Sequence, residues 1–303
     1  MSDALDIKVR TEPGDIVLRP TRERFAELVG GIGNRHDRFA VVDRVPALPD
    51  VYVQVWYDGG DAYQLEHRDG AADRHYTCDV AELERVTEAM TRWALGEEGW
   101  DAGIEWASAG FDVPAPPPEP EPDVRRRIEE RVRERIVYGY DGLDELTEIA
   151  EEWLVSGEER PVTRDQAQVI VERLWLERVT EMAAWRGETD PERLARVFAE
   201  LAAADITARE DFACCRGCGL SEIGAERADA RGFVFFHSQS DATVGRGQLT
   251  LHYGGFDESD ETTEAVGHEV AHALRAAGLT VEWDGSPDRA IELTGLDWRK
   301  RLV

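Results

Sequence analysis

The chain has 303 residues, enough for about two domains that each bury a core of their own. Its 63 acidic and 35 basic side chains give a formal charge of −28. A surface this negative repels phosphate backbones and anionic lipid headgroups, so we expect neither a nucleic acid nor a membrane surface as a partner. A hydrophobic content of 42% with nine tryptophans is typical of a folded protein, so the acidity predicts a charged surface and not global disorder.

The N-terminal segment and the cysteines predict a cytoplasmic protein. The first residues have neither the basic region nor the apolar region of a secretory signal, and no stretch approaches the roughly 18 uncharged apolar residues of a membrane helix. Three of the four cysteines crowd into residues 214–218. This distribution favours a metal or thiol site over a disulfide framework.

Residues 1–111 predict an α+β domain. A short helix is expected over residues 22–31, and a longer helix over 80–95 ends at Gly96. Between them, apolar residues alternate with polar and aromatic ones at the period of two that is typical of a pleated sheet. Four antiparallel strands are expected, over residues 38–44, 51–57, 62–68 and 74–79.

A proline-rich acidic segment, residues 112–123, predicts a linker and a domain boundary, because closely spaced prolines remove backbone donors and favour an extended chain. A second domain is expected over 124–303. Its first part, 124–205, predicts a helical block: apolar residues recur every four positions from Val124, and Thr163–Gln166 is a capping box. Asp190-Pro191 opens a further helix.

Residues 206–303 predict a small α+β region. Strands are expected over 233–237, 248–253, 279–283 and 290–294, with one helix over 262–277. Alternating apolar residues predict one sheet face beneath that helix, formed by Leu249, Leu251, Val281, Trp283, Ile291 and Leu293.

The predicted helix over 262–277 carries the pattern His268-Glu269-Val-Ala-His272. Two histidines four residues apart share a helix face, where they can hold one Zn²⁺ while Glu269 acts as the general base of a hydrolase. A helical wheel places both histidines roughly opposite the apolar stripe, beside Arg275, and the extended three-histidine form of the motif fails. We therefore interpret the motif as a solvated helix face and keep the zinc-dependent hydrolase as the alternative.

A second candidate site is the segment Cys214-Cys215-Arg-Gly-Cys218-Gly219. Cys-x-x-Cys-Gly is typical of a zinc knuckle, in which glycine relieves crowding around a tetrahedral metal. Three cysteines leave one ligand to find, and His237 is the nearest candidate in the sequence, whereas Cys78 would require contact between domains. Two other interpretations stay open: buried cysteines that fill a tight turn, and reactive thiols with Arg216 favouring a thiolate.

Several segments of the second domain resemble an uncharacterised bacterial family, a domain of unknown function. The resemblance covers about residues 124–303 and is carried by Cys-Cys-x-x-Cys-Gly at 214–219, Phe-His-x-Gln at 236–239, Trp-Asp-Gly at 283–285 and Leu-Asp-Trp at 296–298. It implies a shared cysteine turn and no established activity. Residues 50–56, 63–70 and 93–100 resemble, more loosely, the small α+β domains related to type III secretion chaperones.

These features together predict a non-catalytic cytoplasmic binding or regulatory protein. Its candidate cofactor is a structural zinc ion at Cys214, Cys215, Cys218 and His237, and its candidate partner is a protein. The zinc-dependent hydrolase with His268, Glu269 and His272 is the alternative function. The sequence indicates no oligomeric state.

Overall fold

A computed structural model of the chain describes residues 3–34, 37–226 and 229–303 and confirms the α+β class. Two compact units are present, one of residues 1–120 with 302–303 and the other of residues 121–301. None of the helices in the described ranges combines the length and the apolarity that crossing a membrane requires.

The first unit is built on an antiparallel sheet. Its elements in chain order are β1 (Ile7–Thr11), β2 (Ile16–Leu18), α1 (Arg22–Gly30), β3 (Phe39–Arg44), β4 (Val51–Trp56), β5 (Tyr63–Asp69), β6 (His75–Val80), α2 (Leu83–Ala94) and β7 (Ala107–Ser108). The seven strands of the described chain are ordered β2-β1-β3-β4-β5-β6-β7. The four predicted strands are confirmed as β3 to β6, and the sequence analysis missed β1, β2 and β7.

The two helices of the first unit and its sheet share one core. Phe25 and Val29 of α1 are fully buried, as are Val53 and Val55 of β4 and Met90 of α2. Tyr52, Gln54 and Trp56 alternate with the valines and lie on the opposite sheet face, as the period of two predicts.

The second unit begins with a helical block. It comprises α3 (Pro122–Tyr138), α4 (Leu143–Glu152), α5 (Arg164–Met182) and α6 (Asp190–Ala203). The capping box at Thr163 is confirmed: its hydroxyl accepts a hydrogen bond from the backbone N–H of Gln166, whose side chain accepts one from Thr163 N–H in return. The sequence analysis missed α4, a short helix with only small or partly polar residues beside Leu146 on its buried side.

A mixed sheet follows the helical block. Its elements are β8 (Ile206–Arg209), α7 (Arg216–Glu222), β9 (Gly232–Phe235), α8 (Asp241–Val244), β10 (Gln248–Gly255), α9 (Asp260–Ala276), β11 (Thr280–Glu282) and β12 (Ile291–Thr294). The strand order in the described chain is β11-β12-β10-β9-β8. Only β8 and β9 pair in parallel, so the chain must cross over between them, and this crossover carries α7 and the cysteines. The sequence analysis missed β8, α7 and α8.

The two faces of this sheet pack against different helices. On one face, Val266, Val270 and Leu274 of α9 are fully buried in one core with Leu249 and Ile291, which confirms the predicted shared face. On the other face, Phe235 is fully buried in a smaller aromatic cluster that α7 covers. Gly219 of α7 lies so close to the Phe235 ring that a Cβ atom there would overlap it.

We expect Gly219→Ala to destabilise the second unit by about 1–3 kcal/mol, because the new methyl group must displace a buried ring. Gly217→Ala is the matched control two residues away, since the nearest heavy atom to its added Cβ is the Cys215 sulfur at 4.0 Å. Alanine there should be neutral or stabilise α7. Urea unfolding of both variants measures the difference, and equal midpoints would contradict the close packing of α7 on Phe235.

Candidate metal centre

The three clustered cysteines lie at the start of α7, in the crossover between β8 and β9. The sulfur atoms of Cys214, Cys215 and Cys218 all lie within 4.8 Å of one another. Cys214 is exposed and the other two are half-buried, and none of the three forms a disulfide bond. Within the described ranges, this is the one group of three or more histidine, cysteine or acidic residues whose ligand atoms approach so closely.

The backbone leading into the cysteines is strained and firmly held. Asp211 and Ala213 adopt left-handed conformations, with φ angles of 48° and 61°. Such conformations cost free energy in residues other than glycine and persist only where the surroundings impose them. Here, Phe212 N–H donates to the Phe236 carbonyl at 2.8 Å, and Ser238 N–H donates to the Ala213 carbonyl at 3.2 Å. The cysteine turn is thereby fixed to the chain that follows β9.

A buried tyrosine from the helical block completes this support. The hydroxyl of Tyr138 donates to Asp211 Oδ1 at 2.7 Å and lies 3.1 Å from the carbonyl oxygen of His237. Burial raises the pKa of Asp211. Next to it, Arg135 donates to both carboxylate oxygens of Asp141 at 2.7 Å and to Asp241 at 3.1 Å. These contacts join α3 to the segments on both sides of the crossover.

The three thiols interact with one another electrostatically. The pKa of Cys215 is lowered, because the Cys218 backbone N–H and then the thiols of Cys218 and Cys214 donate hydrogen bonds to its sulfur. The pKa of Cys218 is raised to about 12, because its proton is held by the sulfur atoms of Cys214 and Cys215. Hydrogen bonds within the cluster thus favour the thiolate at Cys215 and the thiol at Cys218.

His237 lies beside the cysteine turn, but its ring nitrogens are not part of the group within 4.8 Å. Its ring stacks on that of His252, with 5.4 Å between the ring centroids and 8° between the planes. The His237 Nδ1 atom is buried and has no hydrogen-bond partner among the described residues. Such an atom is costly to leave unpaired, which makes it a candidate ligand atom.

His252, which was not predicted from the sequence, lies beside this site and stacks on His237. Leu249 and Leu251 of β10 face α9, so alternation places His252 on the sheet face that carries Phe235, its partner in the strand register. Burial lowers the pKa of His237. The pKa of His252 is lowered to about 4, chiefly by burial and further by His237 and Arg216. Both rings are therefore neutral at pH 7, the form that binds metals.

The alternative site on α9 is arranged differently. His268 and His272 are both exposed, and the nearest carboxylate to His268 Nε2 is Glu264 at 3.6 Å. Both oxygens of Glu269 contact the guanidinium of Arg231, one of them at 2.9 Å. A cavity of about 390 Å³ adjoins the three residues. Within the described part of the chain no third ligand atom joins the two imidazoles within 4.8 Å.

Cys78, the fourth cysteine, lies on β6 in the first unit. It is half-buried, and burial raises the pKa of its thiol to about 11. Its environment is that of a packed core residue.

Comparison with known proteins identifies one family. A family model described as a domain of unknown function (DUF6891) matches residues 121–302, a range that spans the helical block and the mixed sheet together. No curated protein and no solved structure matches the chain.

We expect the metal-free protein to lose stability through His252 as the pH falls from about 6.5 to about 4. The unfolded histidine takes up a proton near its ordinary pKa of 6.5, whereas the folded one resists until about 4, so acid favours the unfolded chain in this window. Urea unfolding of the wild type and His252→Gln between pH 7 and 4 tests this. The wild type should lose more stability than the variant across the window, and parallel curves would contradict the assignment.

Proposed function

The chain belongs to the DUF6891 family through residues 121–302, and we propose that its second unit is a non-catalytic metal-binding domain. Cys214, Cys215 and Cys218 supply three thiolate ligands to a Zn²⁺ ion, and His237 supplies the fourth. The observation that carries the proposal is the convergence of three sulfur atoms within 4.8 Å of one another.

The spacing of the sulfur atoms fits a tetrahedral zinc ion. With Zn–S bonds of about 2.3 Å, tetrahedral geometry sets the sulfur atoms roughly 3.8 Å apart. The sulfur atoms lie no more than 4.8 Å apart, at most about 1 Å beyond that separation. Rotations about χ1 of the cysteines can close this difference. Soft thiolates select zinc and similar thiophilic metals over magnesium or calcium, which prefer oxygen.

His237 is the best-supported fourth ligand because its backbone is already tied to the turn. Its neighbour Ser238 donates hydrogen bonds from N–H to Ala213 and from Oγ to Cys214, at 3.2 and 3.4 Å. A rotation of the imidazole toward the sulfur atoms would also give the unpaired Nδ1 atom a partner. His252 then lies behind His237 as a stacked ring.

A site closed by four protein ligands is structural, since catalytic zinc keeps one position for water or substrate. Such an ion would clamp the crossover to the end of β9 and add its binding free energy to folding. The α9 motif offers less to a hydrolase, because Arg231 occupies both oxygens of the required base, Glu269. The reduced cysteines fit the cytoplasm, and the charge of −28 favours a protein over a nucleic acid as the partner of this domain.

Cobalt provides the direct test of the ligands. Reduced, untagged, metal-stripped protein titrated with Co²⁺ should develop thiolate-to-cobalt absorption that saturates at one ion per chain, and Zn²⁺ should bleach it. Cys215→Ser and Cys218→Ser should weaken binding by at least about tenfold, because each removes a soft ligand. Cys78→Ser is the matched control and should leave the titration unchanged, because this thiol lies on β6 outside the cluster.

His237→Gln should keep the thiolate absorption and change the visible cobalt bands that report the ligand geometry. Two results would contradict the proposal. One is zinc content, measured by mass spectrometry on protein from the native host, that persists in the Cys214, Cys215 and Cys218 variants. The other is zinc lost in His268→Ala while the cysteines are intact, which would favour the hydrolase.

A further inference from the structure

A separate cavity is lined by α7, β10 and the segment that precedes β12. It encloses about 370 Å³, a volume within the range of small-ligand pockets. Its lining residues are Arg216 and Leu220 of α7, His252 and Tyr253 of β10, and residues 287–290. All of these elements belong to the second unit.

The charges that line this cavity are unusual for so acidic a protein. Arg216 is exposed and has no ion pair with a carboxylate of the described residues. The Arg289 side chain is 75% exposed, and its Nε atom lies 3.8 Å from Oδ2 of its ion-pair partner Asp284. Asp288 is the one carboxylate among the lining residues. The lining therefore carries a net positive charge in a chain whose net charge is −28.

Hydrogen bonds hold the segment that precedes β12 in place. Tyr253 Oη donates to the Ser286 carbonyl at 2.9 Å, and Trp283 Nε1 lies 3.2 Å from the carbonyls of both Ser286 and Arg289. Ser286 N–H donates to Asp284 Oδ1 at 3.0 Å. Because this segment is already fixed, little conformational entropy is lost when a ligand binds against it.

We propose that this cavity binds a small organic anion through its carboxylate or phosphate group. Arg216 is the principal partner, because a guanidinium presents paired donors that match the oxygens of either group. Arg289 and the His252 imidazole, which also line the cavity, offer further polar atoms. Leu220, also among the lining residues, would contact the apolar body of the ligand. The proposal does not depend on a metal at the cysteine turn.

Inorganic phosphate and acetate serve as separate probes of the two anion classes. Each is titrated into the full chain at pH 7 and constant ionic strength, while NMR follows the His252 ring signal, identified by its loss in His252→Gln. We expect a saturable shift with at least one probe. The probe that binds more tightly identifies the anion class as phosphate or carboxylate. Arg216→Gln should weaken binding about tenfold, because it removes a charge-assisted pair of hydrogen bonds.

Two further variants separate a site from a general charge effect. Asp288→Asn removes the competing carboxylate and should tighten binding roughly two- to fivefold. Arg246→Gln changes the net charge as Arg216→Gln does, but at an exposed arginine outside the cavity lining, and should have no effect. Thermal unfolding of Arg216→Gln, unchanged from the wild type, shows that the fold survives.

The proposal is overturned by shifts that grow linearly without saturation, or by Arg216→Gln and Arg246→Gln binding equally well. A failure of cobalt binding with anion binding intact would overturn the metal proposal alone. The two proposals therefore fail independently.

Discussion

The second unit depends on one buried hydroxyl. Tyr138, at the end of α3, bonds to Asp211 and reaches the carbonyl of His237, so a single side chain from the helical block joins the segment that enters the crossover to the segment that leaves it. Removing that hydroxyl would leave the half-buried carboxylate of Asp211, itself a left-handed residue, without this partner, at a cost above that of an ordinary hydrogen bond. The family match runs unbroken over the helical block and the sheet that this contact joins.

The elements that the sequence predicted are those whose burial repeats. In β4 and β10, every second residue is core, and in α9 a stripe of Val266, Val270 and Leu274 recurs at helical spacing. Among the missed elements, β7 and β8 have no such signature, whereas β1 has one that was overlooked, since Ile7 and Val9 are buried and alternate with charged residues. Three of the four residues of β8 are buried, because the strand is covered on both faces, and β7 has two exposed residues. Only pairing with a neighbouring strand defines β7 and β8, and pairing is a property of the fold.

The residues of the candidate sites also divide into those that local spacing predicts and those that only the fold brings together. Spacing alone selected the three cysteines, because ligands on one tight turn are local in sequence. His252 joins them through strand register, which pairs it with Phe235 and stacks it on His237, 15 positions away in the chain. For α9, the helical wheel correctly predicted that His268 and His272 are exposed. The wheel could not predict the ion pair of Glu269 with Arg231, which lies just before β9 and 38 positions away in the chain. Local spacing shows which face a side chain occupies, and tertiary structure decides what that side chain meets there.

Arg216 links the two proposed sites, because it lies between two of the proposed metal ligands in the sequence and also lines the cavity. Three thiolates around Zn²⁺, with a neutral imidazole, would sum to one negative charge, because the thiols would give up their protons as the ion binds. A bound metal would stiffen the turn that carries Arg216, so it would couple the two proposed sites by restricting where this guanidinium can reach.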